Sequence, residues 1–290
     1  LYGLVGRSLP GIFMHRGYDW RAIVNHAFIN TEGIYGTSVD VAASYIFLFI
    51  LFGTIMNKCG MGRFFNDLAL AFAGSTKGGP AKVAVIASGL LGSINGSAVA
   101  NVVTTGTFTI PLMKKSGYSK EFAGAVESSA SVGGQLLPPI MGAAAFIMAE
   151  MLGVKYGTIV ISAAIPALLY YLGIMVQVQL RANRRDLKGL PKEQLPKVRD
   201  VLKDRGHLLI PIVVLLYLLL FSGLTVIYSA FWSIVATIVI SQTRTSTRMT
   251  IRQILDAFAE GTTATVSVAI ACAVVGIIIA IVSLTGFGLN

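Results

Sequence analysis

The residues best suited to chemistry lie in one glycine-rich stretch, residues 92–102, which reads GSINGSAVANV. Four of its side chains offer neutral oxygens: Ser93, Asn95, Ser97 and Asn101. Hard cations prefer oxygen ligands, and the N-terminus of a helix that follows such a turn suits an anionic group. The stretch therefore predicts a site for a cation such as Na⁺ beside a place for an anion. The alternative is that the small residues only allow close packing while Ser and Asn bond across helices.

A second stretch, residues 128–139, reads SSASVGGQLLPP. Its paired glycines and prolines favour an interruption in a helix, because proline lacks an N–H donor and clashes with the preceding turn. Freed backbone carbonyls there could complete a cation shell with the first stretch, and Gln135 could reach a substrate. The alternative is a kink with a purely structural role.

Carboxylates are few in the apolar parts of the chain. Four are expected at span ends in contact with water: Asp40, Glu121, Glu150 and Glu260. Glu127 lies nearly two turns inside its helix and is the one candidate for a proton or cation residue, although snorkelling to the cytoplasm is the preferred interpretation. No nucleophile–base pair or metal-ligand cluster is visible. We therefore predict no enzyme, no metal site and no cofactor.

The composition places these residues in a membrane. Only 12% of the 290 residues are charged, 54% are hydrophobic, and the mean hydropathy is +0.74, whereas soluble domains carry about 25% charged residues. The net charge of +10 does not indicate a nucleic-acid partner, because the basic residues sit in short loops between apolar runs. The lipid bilayer is the expected surroundings, and Cys59 and Cys272 are expected to be apolar fillers.

The basic residues also predict the orientation of the chain. Four loops, 58–82, 114–120, 181–205 and 242–252, hold 19 of the 23 Lys and Arg residues, so the positive-inside rule makes them cytoplasmic. Both ends of residues 83–113 then lie on that side, and about 31 residues are too few for two crossings. We expect a re-entrant hairpin there, made of two half-length helices. Residues 121–152 are too long for one upright crossing and are expected to form a discontinuous helix.

The fold predicted is an all-α polytopic membrane protein. Other spans are expected at 40–57, 156–180, 207–241 (two short spans) and about 262–285. Residues 20–62 and 251–288 share a pattern of short amphipathic helix, turn and span ending in Gly-x-Gly, in opposite orientations. Inverted repeats of this kind are typical of secondary transporters, whose sites lie at broken helices.

Four regions follow from this pattern. Residues 1–19 are expected to end an upstream membrane segment, and 20–180 to form the first inverted repeat. Residues 181–249 form the cytoplasmic basic loop and two connecting spans, and 250–290 begin a second, truncated repeat.

Three segments resemble a known family: residues 92–102, IPLMKKSGY at 110–118, and GGQLLPPIMGAAAFIMAE at 133–150. They are similar to the large membrane subunit of tripartite ATP-independent periplasmic (TRAP) transporters, and most similar to fused permeases that work with a TAXI-type binding protein. The resemblance implies an elevator-type, inverted-repeat permease in the bacterial or archaeal inner membrane that imports a small organic anion with sodium. It implies two partners, a periplasmic substrate-binding protein and a small membrane subunit fused upstream.

The resemblance also assigns site residues. The sodium ligands it implies are Ser93, Asn95, Ser97, Asn101, Gly133 and Pro138. The substrate-binding residues we expect are Asn95, Gly96, Ser97 and Gln135. The alternatives left open are a binding-protein-independent anion transporter, an antiporter or a channel of related architecture.

Overall fold

The computed structural model describes residues 1–287, which form α-helices, short 3₁₀ turns and one π-helical segment with no β-strand among them. The α-helices, in chain order, are α1 (Tyr2–Val5), α2 (Trp20–Ile29), α3 (Thr37–Val41), α4 (Phe47–Lys58), α5 (Met61–Ala73), α6 (Gly79–Asn95), α7 (Ala98–Lys115), α8 (Lys120–Gly133), α9 (Ala143–Leu152), α10 (Tyr156–Arg184), α11 (Val198–Arg205), α12 (Leu209–Leu220), α13 (Val226–Ser241) and α14 (Ile251–Thr285). The all-α fold expected from the sequence is confirmed.

Within residues 1–287, three helical stretches are long and apolar enough to cross a bilayer: Thr37–Lys58, Tyr156–Arg184 and Ile251–Thr285. The first joins α3 and α4 through the π-helical segment Ala42–Ile46. The outer face of α10 exposes large apolar side chains, among them Ile161 and Ile165, which are 68% and 70% exposed. A water-facing surface would not carry such a row, so this face is suited to lipid.

Helices α6 and α7 form an antiparallel hairpin that turns at Gly96 and Ser97. Gly96 adopts a left-handed conformation with φ of +63°, and a Cβ there would lie 2.4 Å from the carbonyl oxygen of Met141. Only glycine fits both conditions. The arms have 17 and 18 residues, or about 26 Å each. They are thus longer than the half-length helices expected, because α6 begins at Gly79–Pro80, before Lys82.

The helix after the hairpin is interrupted, as its glycines and prolines suggest. Helix α8 ends at Gly133 and α9 begins at Ala143. The backbone between them begins with successive tight turns, in which the N–H groups of Gln135, Leu136 and Leu137 donate to carbonyls three residues earlier. This unwound segment, residues 134–142, faces the hairpin tip, because the N–H of Ile140 donates to the carbonyl of Ser93 over 3.0 Å.

The loop expected at residues 58–82 is largely a helix, α5, and that expectation was wrong. Helix α5 follows Gly60, which has φ of +93°, and packs against α6. Its buried side chains include Met61, Phe64 and Phe65, which recur at helical spacing. That apolar stripe predicts an amphipathic helix and was masked in the sequence by the glycines around it.

The second copy of the repeat pattern also differs from expectation. No turn separates its amphipathic part from its span, since α14 runs unbroken for 35 residues from Ile251 to Thr285. Gly261, where the turn was expected, packs closely against α4, since a Cβ there would lie only 3.3 Å from Leu51 Cδ1. A lone glycine weakens a helix by only about 1 kcal/mol, and close packing offsets it. Gly288, the last residue of the pattern, lies outside the described residues.

Helix α4 lies at the centre of the molecule, between α13, α14 and the hairpin arm α6. Its side chains Phe49, Phe52, Ile55 and Met56 are almost completely buried. At Gly53 an added Cβ would come within 2.9 Å of the Cα of Asn95. The absence of a side chain at Gly53 therefore lets the hairpin tip lie directly against the central helix.

Candidate functional site

The hairpin tip and the unwound segment touch each other through backbone atoms. A Cβ on Gly92 would lie 2.7 Å from the Cα of Gly134, and one on Gly134 would lie 2.5 Å from the Cα of Gly92. Because real Cβ atoms do not approach so closely, both positions require glycine. Two predicted site elements, the stretch 92–102 and the break after α8, are thus in direct contact.

Asn101 lies beside this glycine contact. Its side chain is fully buried, and its Nδ2 donates to the carbonyl of Ser88 over 2.7 Å. Its Oδ1 has no hydrogen-bond donor within the described protein. A buried amide oxygen without a partner is unusual, because leaving it unpaired costs about 1–3 kcal/mol. The arrangement suits a positively charged ligand at this oxygen.

The other side chains at the tip are used partly by the tip itself. Ser93 Oγ donates to the carbonyl of Leu90 over 2.8 Å, and Asn95 Oδ1 accepts from the N–H of Ser97 over 3.2 Å. Ser97 Oγ caps α7 by accepting from the N–H of Ala100 over 3.3 Å. These oxygens keep free lone pairs, so their bonds within the tip leave ligation chemically open.

The remaining predicted residues lie on the far side of the tip. Gln135 Nε2 approaches the carbonyl of Gly96 at 3.4 Å, which brings two predicted substrate residues together. Gly133 is buried against Tyr170 and Tyr171 of α10. Pro138 lies in the unwound segment, half-buried, and no hydrogen bond among the described residues joins it to the hairpin.

A cavity of about 270 Å³ opens beside the tip, and we name it the tip cavity. Its polar lining consists of Thr54, Asn57, Asn95, Ser97, Thr104 and Glu260. Its apolar wall comes from α4, α7 and α14. The cavity therefore brings the capped N-terminus of α7 into contact with a space of the size a small solute needs.

A larger cavity of about 670 Å³ adjoins it, and sequence reasoning missed this one. This basic cavity contains the side chains of Lys58, Arg63, Asp67 and Arg205 and shares Asn57 and Thr104 with the tip cavity. Its cationic residues come from separate segments of the chain, so no local motif could have shown it.

Two of the three basic side chains form ion pairs with acidic residues. Lys58 Nζ lies 2.5 Å from Glu260 Oε2, and an Arg205 nitrogen lies 4.0 Å from Asp67 Oδ2. Partial burial raises the pKa of Asp67, against the lowering effect of Arg205 and Arg63. Arg63 makes no ion pair with the described residues, which leaves its charge available to a ligand.

Glu127 is placed differently from the preferred expectation. It does not snorkel to the surface but is fully buried, where its carboxylate accepts hydrogen bonds from hydroxyl groups of α6, α7 and α8. Snorkelling is prevented because α8 packs its Glu127 face against both hairpin arms. The four carboxylates expected at span ends are indeed exposed: Asp40, Glu121, Glu150 and Glu260.

The sequence was also compared with those of known protein families and known proteins. The family model described as "Tripartite ATP-independent periplasmic transporter, DctM component" matches residues 2–290. The C4-dicarboxylate TRAP transporter large permease protein DctM of Vibrio cholerae is 32% identical over 53% of this chain and 33% of its own. The sialic acid TRAP transporter large permease protein SiaM of the same organism is 27% identical over 58% of this chain and 39% of its own.

A third relative is named for a different organic acid. The isethionate TRAP transporter permease protein DctMQ of Oleidesulfovibrio alaskensis is 27% identical over 58% of this chain and 26% of its own length. In the first curated relatives, the match to this chain spans about a third of the relative's length.

Proposed function

Because the chain belongs to the DctM component family of tripartite ATP-independent periplasmic transporters, we propose that it acts in sodium-coupled import of a small organic anion. Members of this family are transporters rather than enzymes, and the chain is a multi-pass protein of the bacterial inner membrane. The relatives are named for a C4-dicarboxylate, sialic acid and isethionate, all of which are organic acids. A small carboxylate or sulfonate is the solute class that these names support.

The observation that carries the sodium proposal is the buried, unpartnered Oδ1 of Asn101. Na⁺ is a hard cation that neutral oxygens suit. Asn101 lies on hairpin arm α7, beside the contact between the hairpin and the break after α8, and transporters place their ions at such breaks. Asn101 Oδ1 would supply one ligand. Ser93, Asn95 and Ser97 carry further oxygens from the same hairpin, and the backbone at Gly133 and Pro138 could complete the shell.

The anion would occupy the tip cavity. Helix α7 has 18 residues, and its N-terminus carries a partial positive charge that favours a carboxylate. Ser97 lines the cavity, and Gln135 lies against the carbonyl of Gly96. Sodium at Asn101, one turn along α7 from Ser97, would add positive charge near the same end of the helix. Binding of the ion and of the anion would then favour each other.

The partners follow from the same family membership. We propose a soluble periplasmic binding protein of the TAXI type as the donor of the solute, and a small membrane subunit that is fused upstream. The DctMQ relative supports fusion as one arrangement in this family. The loops at 58–82, 114–120, 181–205 and 242–252 would face the cytoplasm, which would make the basic cavity the exit.

The test is solute uptake into proteoliposomes that contain the complete transporter, with its binding protein outside. Labelled succinate and isethionate are the probes, each with and without an inward sodium gradient. We expect uptake to require both sodium and the binding protein. Uptake that is indifferent to sodium would remove the sodium site and favour a proton-driven carrier or a channel. Uptake without the binding protein would favour a binding-protein-independent transporter.

The residue-level arm compares two asparagines. Asn101→Ala should raise the sodium concentration needed for half-maximal uptake at least several-fold, because it removes the unpartnered oxygen. Asn183→Ala is the matched control, since Asn183 is exposed on α10 and bonds only to Gln179 among the described side chains. Equal sodium dependence in the two variants would contradict the assignment of Asn101.

A further inference from the structure

The buried carboxylate of Glu127 has no part in the proposed sodium and anion sites. Its oxygens are surrounded by hydroxyl groups, all fully buried: Ser88, Thr105, Thr109 and Ser131. Ser88 Oγ lies 2.7 Å from Oε1, Ser131 Oγ lies 3.2 Å from it, and Thr105 also contacts Oε1. Thr109 Oγ1 lies 2.5 Å from Oε2. Gly106 leaves room for the side chain, because a Cβ there would meet Glu127 Cγ at 3.2 Å.

No basic side chain among the described residues forms an ion pair with Glu127. The lysines of the surrounding helices lie near their ends, at Lys82, Lys114, Lys115 and Lys120. From α10 the ionisable group that faces it is Tyr171, whose hydroxyl already donates to the carbonyl of Ala130 over 2.7 Å. A buried carboxylate without a cation is costly in a membrane protein, and such residues are typically functional.

The spacing of the oxygens suits a proton rather than a metal ion. Ser88 and Thr105 hydroxyl oxygens lie 2.9 Å apart, and each also touches Oε1, so the oxygens are at hydrogen-bond distance from one another. A cation needs its oxygen ligands spread around it, at about 2.3 Å or more from its centre for a hard ion such as calcium. The oxygens of the cluster are therefore already paired with one another by hydrogen bonds and are not spread out as the ligands of a cation would be.

The hydrogen-bond count shows where a proton fits. Thr109 Oγ1 contacts Glu127 Oε2 and, at 3.0 Å, the carbonyl of Thr105, but it has a single proton for two acceptors. If Glu127 is protonated at Oε2, it donates to Thr109, and Thr109 donates to the carbonyl of Thr105. If Glu127 is ionised, Thr109 turns its proton to the carboxylate. Hydroxyl groups can thus serve both forms, whereas an arginine or lysine partner would favour only the ionised one.

We propose that Glu127 with its hydroxyl shell is a proton-binding site that couples a proton to the movement of the solute. The proton would be taken up from the periplasmic side and released to the cytoplasm, which leaves the carboxylate ionised. The coupling step rests on the transport function proposed above, but proton binding itself does not. Asn101 and Glu127 share Ser88, whose carbonyl accepts from Asn101 and whose hydroxyl contacts the carboxylate. Ser88 would therefore be the link through which occupancy at one site affects the other.

The first experiment measures proton binding without transport. Infrared difference spectra of the purified transporter, taken across a pH series, report the carbonyl stretch of a protonated carboxylic acid. We expect a band that rises as pH falls, is absent in Glu127→Gln, and persists in Glu121→Gln, which changes an exposed carboxylate on the same helix. Either of two results would overturn the site: a wild-type spectrum in which no such band changes with pH, or a titrating band that is still present in Glu127→Gln.

A second variant covers the case in which Glu127→Gln does not fold. Thr109→Val keeps the shape of the side chain and removes its hydroxyl. Because hydroxyl donation to an ionised carboxylate is stronger than a neutral bond, the midpoint of the band should move to higher pH. An unmoved midpoint would show that the titrating acid is not the one in this cluster.

The second experiment asks whether the proton travels with the solute. Proteoliposomes that contain a pH-sensitive dye report acidification of the lumen during binding-protein-dependent uptake at a fixed sodium gradient. We expect acidification in wild type and in Glu121→Gln, and its loss in Glu127→Gln. Uptake without acidification would overturn the coupling while the solute function stands. A titrating band in a transporter that takes up no organic anion would keep the proton site and contradict the proposed function instead.

Discussion

Ser97 illustrates how one side chain can serve both structure and binding. Its hydroxyl caps α7, and it also lines the tip cavity. We predict that Ser97→Ala lowers the thermal midpoint of unfolding, because loss of an N-cap costs about 0.5–2 kcal/mol. It should also raise the KM for the solute, because the anion loses a hydroxyl at the helix N-terminus. The two effects are measured by a thermal melt in detergent and by the uptake assay.

Ser119 provides the matched control at the residue scale. It caps α8 through the same kind of hydrogen bond, accepting from the N–H of Phe122, three residues on, over 3.3 Å, but it does not line the tip cavity. Ser119→Ala should lower the thermal midpoint by a similar amount and leave the KM for the solute unchanged. If both variants change only stability, the Ser97 hydroxyl is a cap and nothing more.

Single residues also show the limit of sequence reasoning. The oxygens of residues 92–102 could be recognised because serine, asparagine and glycine are unusual in an apolar run. The environment of Glu127 could not, because its hydroxyl partners Ser88, Thr105 and Thr109 come from two other helices. Position within the helix suggested that it snorkels, while tertiary packing encloses it. The proton site thus depends on contacts that no local pattern contains.

At the scale of elements, the hairpin is held to α8 by the contact between Gly92 and Gly134. We predict that Gly134→Ala destabilises the protein by about 1–3 kcal/mol, because its methyl group would have to displace the backbone of Gly92. Uptake should fall as well, since the hairpin would be forced away from the unwound segment. A thermal melt in detergent and the uptake assay measure the two effects.

Gly124 offers the same substitution within α8, the helix that precedes Gly134, with nothing within 4 Å of its added Cβ. Gly124→Ala should therefore stabilise α8 slightly, by up to about 1 kcal/mol, through the higher helix propensity of alanine. The opposite signs of the two alanine variants are the expected result. A Gly134→Ala protein as stable as wild type would show that the glycine contact is not needed.

The elements differ in how far the sequence could predict them. The turn near Gly96 and the interruption after Gly133 could be foreseen, because glycine and proline act locally on the backbone. Helix α5 was missed since its stripe of Met61, Phe64 and Phe65 is short and lies among glycines. The unbroken α14 was missed because a Glu–Gly pair was interpreted as a turn, whereas the helix continues through Gly261, which packs closely against α4.

For the whole molecule, the distribution of lysine and arginine predicts which side each loop faces. Lys155 and Lys188 are exposed on either side of α10, so they should lie on opposite faces of the membrane. In a background of Cys59→Ala and Cys272→Ala, we expect Lys188→Cys to react with an impermeant maleimide only after the cytoplasmic side is opened. Lys155→Cys should react in intact cells.

The control for orientation is Arg248→Cys, which lies in another of the basic loops and should behave as Lys188→Cys does. Labelling of all three positions from one side would contradict the orientation. It would also move the basic cavity to the opposite face, because that cavity contains Lys58 and Arg205 from two of the same loops.

The basic cavity gives the last prediction, which depends on the molecule as a whole. Its charges come from α4, α5 and α11, and it joins the tip cavity at Asn57 and Thr104. A cleft lined by one sign of charge concentrates ions of the opposite sign. Since Lys58 and Arg205 form ion pairs while Arg63 forms none among the described residues, Arg63 should contribute most to the attraction of an anion. Arg63→Gln should therefore raise, several-fold, the internal solute concentration that half-saturates counterflow from preloaded proteoliposomes. Arg248→Gln, which removes the same charge outside the cavity, should leave that concentration unchanged.

The difference between the two variants should narrow as salt is added, because exposed charges are screened over about 8 Å at physiological ionic strength. A difference that salt does not affect would mean that Arg63 acts through packing, and equal behaviour of the two variants would remove the cavity from the solute path.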